Sequence, residues 1–340
     1  MKSMTFLLAL IGFAPMSHAV DTLSDSSTPA QSRQIEVQDV NAPRAQAPRA
    51  SATEANRSVM QGKTLEGQPA ERLGTSYFQR PQEGRGSVRV MPSINSTMAN
   101  ASSGNSGEAR SLDINSDSLE TKFAFGLTQD VTLETRFSYG ADTVKVGSQT
   151  SKRTGLSDFH FKATQLKQES NYEWFYGAEL GLSPGRAAVA DGSSSGSNRY
   201  SGGTQITPMV GFQAESVYDF NFGVQGSFTF RTTRFFDDGT DKSGGHLLNA
   251  EAFMERDYTP GTLGLMANLT QKLGDERDQA AVLVPQTALG LGGYADFEIN
   301  PQLFIPVQVS YTMGLANSAG GVSYSKIDRV NISAGASYYF

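Results

Sequence analysis

The sequence predicts an all-β fold: a transmembrane, antiparallel, up-and-down β-barrel of about twelve strands, preceded by a disordered N-terminal segment. Three observations predict it. Twelve segments after residue 85 alternate apolar and polar side chains, the period of two that places neighbours on opposite faces of a strand. The connections between them alternate between short turns and long polar loops. The 340 residues are only 38% hydrophobic, as expected where half of each strand faces a polar lumen.

The alternating segments set the expected strand order. The predicted strands lie near 87–98, 118–127, 131–140, 156–165, 173–182, 205–214, 220–232, 247–256, 262–272, 288–299, 303–312 and 326–340. The turns after even-numbered strands are short, as at 128–130 and 300–302, whereas connections after odd-numbered strands are long, as at 99–117 and 183–204. An even number of strands with short turns on one side places both chain ends at that side, which is periplasmic in such barrels.

A closed sheet follows from the apolar face of these strands. Leu119, Phe123 and Phe125 share one face of the second strand, and Phe222 and Phe228 share one face of the seventh. Lipid offers no hydrogen-bonding partner, so an open sheet edge would leave a row of backbone groups unsatisfied, each at a cost of several kcal/mol. We therefore expect the apolar face to contact lipid and the sheet to close on itself.

The last predicted strand, 329–340, carries the clearest alternation. Val330, Ile332, Tyr338 and Phe340 lie on one face, and small or polar residues lie on the other. This strand resembles the closing strand of outer-membrane β-barrels of Gram-negative bacteria. The resemblance implies location in the cell outer membrane, contact with its lipid and lipopolysaccharide, and biogenesis through the barrel-assembly machinery. It further implies that Tyr338 and Phe340 belong to the assembly signal which that machinery reads.

Residues 1–85 predict that the chain is exported and that an unfolded segment precedes the barrel. Residues 1–19 have the features of a secretory signal peptide: Lys2, an apolar stretch over 4–14 and a small-residue cleavage site ending at Ala19. Residues 20–85 are rich in Ser, Ala, Gln, Pro and Arg and have few large apolar side chains, which predicts a mostly disordered periplasmic segment. The alternative is that this segment folds back as a plug in the lumen. The barrel is expected to occupy 86–340.

Composition excludes several other functions. The chain has no Cys, so we expect no disulfide, no thiolate metal site and no lipoprotein anchor. A net charge of −6 gives no reason to propose nucleic acid as a partner. We expect no cofactor and no metal site, because the carboxylates of Asp237, Asp238 and Asp241 lack calcium-loop spacing and are better explained by a turn at Gly239.

A short motif suggests a narrower relationship within the barrels. Residues 155–162 read Gly-Leu-Ser-Asp-Phe-His-Phe-Lys. This stretch resembles the Gly-x-Gly-Asp strand opening of barrels grouped under the MetA pathway of phenol degradation, with Ser157 at the position of the second Gly. The resemblance covers about one strand.

The histidines bear on whether the chain is an enzyme, because lipolytic and proteolytic barrels use a catalytic histidine. Only His160 and His246 follow the predicted signal peptide. The residues around His160 lack the His-x-Ser arrangement of the lipid-A deacylases and the His-x-Ser-Asn-Gly run of the barrel phospholipase. We expect His160 to belong to a polar lumen network, and the chain not to be an enzyme.

The inward faces of the strands carry the charges that bear on transport. A hairpin about Gln129 would place Lys122 opposite Arg136, with Glu134 and Glu120 on the diagonals. The predicted lumen-lining charged and ionisable residues are Arg89, Glu120, Lys122, Glu134, Arg136, Asp158, His160, Lys162, Glu179, Arg231, Glu251, Glu255, Asp296, Glu298 and Arg329. Such a mixed wall predicts weak charge selectivity or none.

The predicted function is that of a passive channel for small polar or weakly amphipathic solutes. A barrel of about twelve strands lies between the filled eight-stranded kind and the wide porins. The alternative is a closed structural or adhesive barrel that presents its long loops to partners. A lumen blocked by the N-terminal segment or by loops such as 183–203 would favour that alternative.

Overall fold

The computed structural model describes residues 72–73, 75–103, 109–146, 148–169, 172–188, 195–196, 198–215, 220–277, 280–283, 286–319 and 322–340. All of them belong to one compact unit, Ser51–Phe340. The predicted signal peptide and the predicted disordered segment up to residue 71 lie outside the described residues. None of the described residues forms a helix long and apolar enough to cross a membrane.

Twelve antiparallel strands form a closed barrel, which confirms the predicted fold. We number them β1 to β12 along the chain. Their bounds are Gly86–Ser103, Ala109–Gly126, Val131–Val146, Gln149–Leu156 continued by Phe159–Gln168, Tyr172–Leu182, Gln205–Glu215, Phe220–Arg231, Leu247–Tyr258, Gly261–Lys272, Gln286–Asn300, Leu303–Gly314, and Val322–Ala334 continued by Ala336–Tyr339.

Each strand pairs with its sequence neighbours, and the last pairs with the first. The closing register places Ser333 opposite Ser93 and Tyr339 opposite Ser87. The backbone of Phe340 also exchanges two hydrogen bonds of 2.9 Å with Gly86. Closure leaves the barrel without a free edge, as the lipid environment requires.

The two ends of the barrel differ, as predicted, in the length of their connections. The end with the short turns at 128–130 and 300–302 is called the turn end, and the opposite end is called the loop end. The predicted loop 99–117 is shorter than expected, because β1 runs to Ser103 and β2 begins at Ala109. Strands of 18 residues exceed the roughly 9–11 needed to span a bilayer. In the extended part of β2 the row that continues the outer face reads Asp113, Asn115 and Asp117, so the apolar outer row that marks a membrane strand is lost while pairing continues.

The outer face is apolar, as the alternation predicts. Leu119, Phe123 and Phe125 on β2 and Phe222 and Phe228 on β7 are all exposed on this face. In the closing strand the outward Ile332, Tyr338 and Phe340 alternate with the buried Ser333, Ser337 and Tyr339. These exposed apolar side chains form the face that contacts lipid in barrels of this fold.

Loops at the loop end form a second, smaller sheet. Its strands are Arg234–Phe235, Asp241–Gly244, Asp275–Arg277 and Ala280–Leu283. The turn within 237–241 is closed by Asp238, whose Oδ1 accepts hydrogen bonds from the backbone N and the hydroxyl of Thr240 at 2.9 and 2.6 Å. This geometry accounts for the acidic stretch as a turn.

The described part of the N-terminal segment lies inside the barrel. Arg72–Leu73 pairs with Arg80–Pro81 in a short hairpin. Residues 75–85, called the plug segment below, then lead into β1. For these residues the structure shows the plug arrangement rather than a disordered segment.

Candidate functional site

Three hydrogen bonds join the plug segment to carboxylates on β8 and β10. The backbone N of Ser76 donates to Glu255 Oε1 at 2.8 Å, and the hydroxyl of Tyr77 donates to Glu251 Oε2 at 2.5 Å. Gln79 Nε2 donates to Asp296 Oδ2 at 2.9 Å. Burial, and then the Glu251 carboxylate, raise the pKa of Tyr77, so its hydroxyl keeps the proton that it donates.

Aromatic side chains that point into the lumen pack against the same segment. Tyr77 stacks on Phe253, with ring centroids 4.6 Å apart and an interplanar angle of 7°. Phe78 lies against Phe175 at 4.1 Å between centroids. Aromatic pairs contribute about 0.5–1.5 kcal/mol each beyond the area they bury. The plug segment is therefore held by packing as well as by hydrogen bonds.

Three further contacts link the plug segment to other parts of the barrel wall. The hydroxyl of Tyr339, on the closing strand, donates to Gln79 Oε1 at 2.9 Å. Arg80 Nη1 donates to the carbonyl of Gln129 at 2.9 Å, and Arg80 Nη2 lies 3.8 Å from Glu173 Oε1. Because Gln129 belongs to a short turn, these contacts place the plug segment in the turn-end half of the barrel.

The hairpin between β2 and β3 has the predicted register. Lys122 pairs with Arg136, and Lys122 Nζ reaches Glu134 Oε2 at 3.1 Å on the diagonal. Across the next strands, Arg136 Nη2 donates to Glu179 Oε1 at 2.8 Å. Lys122 and Arg136 thus face each other directly, while each is paired with a carboxylate: Lys122 with Glu134 on the diagonal, and Arg136 with Glu179 on β5.

His160 and Lys162 complete this charged network. His160 Nδ1 lies 2.8 Å from Glu179 Oε1, so Glu179 bridges His160 and Arg136. Lys162 pairs in register with Glu134 on one side and Glu179 on the other. His160 therefore lies in a polar lumen network, which is the arrangement expected from the sequence.

The opposite wall is acidic. Strands β8 and β10 direct Glu251, Glu255 and Asp296 inward, and Glu255 is only 1% exposed. The inward hydroxyl of Tyr294 donates to Glu255 Oε2 at 2.7 Å. The wall formed by β8 and β10 therefore presents carboxylates to the plug segment, whereas cations and carboxylates are paired along β2–β5.

The remaining predicted lumen residues lie nearer the two ends. Asp158 is buried and accepts from the backbone N of Ser201 at 2.9 Å, which holds the connection between β5 and β6 over the barrel. Arg329 Nε donates to Thr97 Oγ1 at 3.1 Å. Arg231 lies at the loop end of β7, half-buried beside His246. Glu298 shares the inward row of Asp296 but is exposed at the turn-end rim.

Cavities remain inside the barrel, and two of them are lined in part by the plug segment. One of about 360 Å³ is lined by β1 and β2, including Arg89, Glu120 and Lys122, together with Gln308. A second of about 270 Å³ lies between the plug segment and the acidic wall, and it is also lined by Arg89 and Gln308. A smaller one, of about 90 Å³, lies on the other side of Tyr77. The interior is therefore narrowed by the plug segment but not filled.

The loop end is narrowed by a second charged group. Asp142, buried on β3, accepts from Arg153 Nη2 at 3.1 Å and from Arg199 Nε at 3.0 Å. The backbone N of Arg199 also donates to the carbonyl of Leu156 at 2.9 Å. Since Arg199 belongs to the connection between β5 and β6, this connection folds inward over the mouth.

Sequence reasoning missed several of these residues. Phe175, Phe253 and Tyr294 lie on the lumen side although they are aromatic, because period two places them in the rows of neighbouring polar residues. Tyr77 and Phe78 form an aromatic pair in an otherwise low-complexity segment, and this was the available signal for a plug.

Within the part of the chain that the structure describes, no group of three or more His, Asp or Glu side chains is arranged to hold a metal ion.

Comparisons with known proteins show the fold. No protein-family model matches the chain, and no curated protein matches its sequence. The crystal structure of the COG4313 outer membrane channel from Pseudomonas putida F1 is similar, with a TM-score of 0.58 and 13% identity over 79% of this chain and 100% of that one. More distant are the NanC porin (TM-score 0.40, 11% identity, 71% of this chain and 98% of that one) and the CymD monoaromatic hydrocarbon channel (0.41, 9%, 76% and 89%). The chain therefore has the fold of a twelve-stranded outer-membrane β-barrel.

Proposed function

We propose that the protein is a passive outer-membrane channel for small polar or weakly amphipathic solutes. The observation that carries the proposal is a pair of polar cavities inside the barrel, of about 360 and 270 Å³, whose walls share Arg89 and Gln308. A barrel filled only to support its own fold would pack this interior with side chains. The fold shared with an outer membrane channel is consistent with this role.

The charges of the lumen favour weak selectivity. Lys122 with Glu134 and Arg136 with Glu179 form ion pairs along one wall. The carboxylates of the opposite wall accept hydrogen bonds from the plug segment. Because one wall carries both signs in ion pairs and the other carries carboxylates held by neutral donors, we expect a weak preference for cations or none.

A closed structural barrel is the second candidate, and specific observations favour it. The plug segment crosses the turn-end half of the lumen, and Arg199 draws the connection between β5 and β6 over the loop end. A barrel covered at both ends would serve to present its loops. The two candidates differ in whether ions cross the unaltered protein.

Planar-bilayer recording separates the two candidates. The full chain should give stepwise conductance, and Tyr77→Ala should give larger steps, because it removes the stack on Phe253 and the bond to Glu251. Tyr258→Ala is the matched control, since Tyr258 lies on the outer face near the same end. Silence of both the unaltered chain and Tyr77→Ala would overturn the channel. Conductance only in Tyr77→Ala would contradict passive transport.

A further inference from the structure

Arg89 is a lumen cation that borders both of the larger cavities. It lies on the boundary between the two larger cavities described above, whose linings share Arg89 and Gln308. Its strand neighbours at the same level are Lys122 and Ser337. None of the carboxylates among the described residues lies within ion-pair distance of its guanidinium, whereas Lys122 is paired with Glu134.

The hydrogen bond that Arg89 does make leaves most of the guanidinium available. Its Nε donates to the thioether Sδ of Met91 at 2.9 Å. A thioether is a weak acceptor, and an arginine has five N–H donors in a planar fork. This contact therefore orients the side chain while its terminal nitrogens face the cavities without a protein acceptor among the described residues.

The same 270 Å³ cavity carries the opposite charge on its other side. Glu251 and Asp296 line it together with the amide of Asn268. Glu251 accepts one hydrogen bond at each oxygen, from Tyr77 at 2.5 Å and from Asn249 at 2.7 Å. A carboxylate has about four acceptor positions, so these contacts hold Glu251 in place and leave it able to accept from a ligand.

We propose that this cavity is a binding site for a small zwitterionic solute, whose carboxylate contacts Arg89 and whose ammonium contacts Glu251 and Asp296. Arginine matches the planar geometry of a carboxylate, and such charge-assisted hydrogen bonds are about twice as strong as neutral ones. A simple anion would leave the acidic side unsatisfied, and a simple cation would face the uncompensated Arg89. The inference rests on the proposed channel function, to which it adds a class of solute.

Calorimetric titration of the full chain, folded in detergent micelles, tests the proposal with three probes that each contain four carbon atoms: 4-aminobutyrate, butyrate and n-butylammonium. We expect 4-aminobutyrate to bind about tenfold tighter than either of the others, the factor that one hydrogen bond to a charged group contributes. Arg89→Gln should abolish its advantage over n-butylammonium, and Glu251→Gln should reduce its advantage over butyrate, because Asp296 remains in the cavity.

Arg329→Gln is the matched control, because Arg329 is also an inward arginine but bonds Thr97 and lies outside this cavity. It should leave all three affinities unchanged. Heat-dependent migration on gels checks that each variant is folded, and if Arg89→Gln does not fold, Arg89→Lys should bind 4-aminobutyrate severalfold more weakly because lysine makes no bidentate contact.

The outcomes separate this inference from the channel proposal. Equal binding of 4-aminobutyrate and butyrate, no binding of 4-aminobutyrate, or an Arg89 variant with unchanged affinities would overturn the zwitterion site even if the barrel conducts. Binding of 4-aminobutyrate that depends on Arg89 in an electrically silent barrel would overturn the channel and leave the site intact.

Discussion

The rings of Phe78 and Phe175 lie 4.1 Å apart between centroids, at an interplanar angle of 54°. Phe175 reaches this position over Gly211, its partner on the neighbouring strand. An added Cβ at Gly211 would stand 1.9 Å from the Phe175 ring. The absence of a side chain on one barrel strand therefore allows an aromatic side chain on the next to support the plug segment.

Gly211→Ala should loosen the plug segment without altering any of its residues. The added methyl group must displace Phe175, and overpacking of this kind costs typically about 1–3 kcal/mol. We expect larger single-channel conductance and faster proteolysis within 75–85. Gly226→Ala, on the adjacent strand, is the control, because an added Cβ there meets nothing within 4 Å. Equal behaviour of the two variants would show that Phe175 does not support the plug segment.

Glu179→Gln should shift the lumen toward anions. Glu179 lies 2.8 Å from both Arg136 and His160, so its loss leaves the positive charge of Arg136 without its paired carboxylate. Reversal potentials in a KCl gradient should move in the anion-selective direction. Glu298→Gln removes the same charge from the exposed rim and should have a smaller effect, because solvent screens charges there. A shift toward cations would mean that Glu179 does not face the conducting path.

The turn end is predicted to face the periplasm. An epitope inserted after Gly239, in the loop-end sheet, should be reached by antibody on intact cells, whereas one after Pro301 should be reached only after the outer membrane is opened. Both sites are exposed turns, so insertion should not disturb strand pairing. The opposite labelling pattern would reverse the orientation.

Phe340→Ala should reduce the amount of assembled barrel. The ring of Phe340 is 54% exposed on the lipid face, at the seam where its backbone pairs with Gly86. We expect less heat-modifiable protein in outer-membrane fractions, and Phe340→Tyr should restore much of it because an aromatic ring remains. Normal assembly of Phe340→Ala would remove the predicted role of this residue in the assembly signal.

The barrel and its two faces follow from local features of the sequence. Alternation along a strand depends only on neighbouring residues, so it places Phe123 outside and Lys122 inside before any partner strand is known. A short turn then sets the register of the hairpin that it closes, so the pairing of Lys122 with Arg136 across 128–130 follows from the sequence.

Tertiary structure alone decided how the lumen is occupied. The contacts of Ser76 with Glu255 and of Gln79 with Asp296 join residues far apart in the chain, and nothing in the composition of 20–85 indicates which carboxylates the segment meets. The carboxylates of β8 and β10 likewise face the ion-paired wall because closure brings β1 beside β12 and sets β8 and β10 across the lumen from β3. Alternation determines which side of the wall a residue faces, whereas barrel closure determines what lies opposite it.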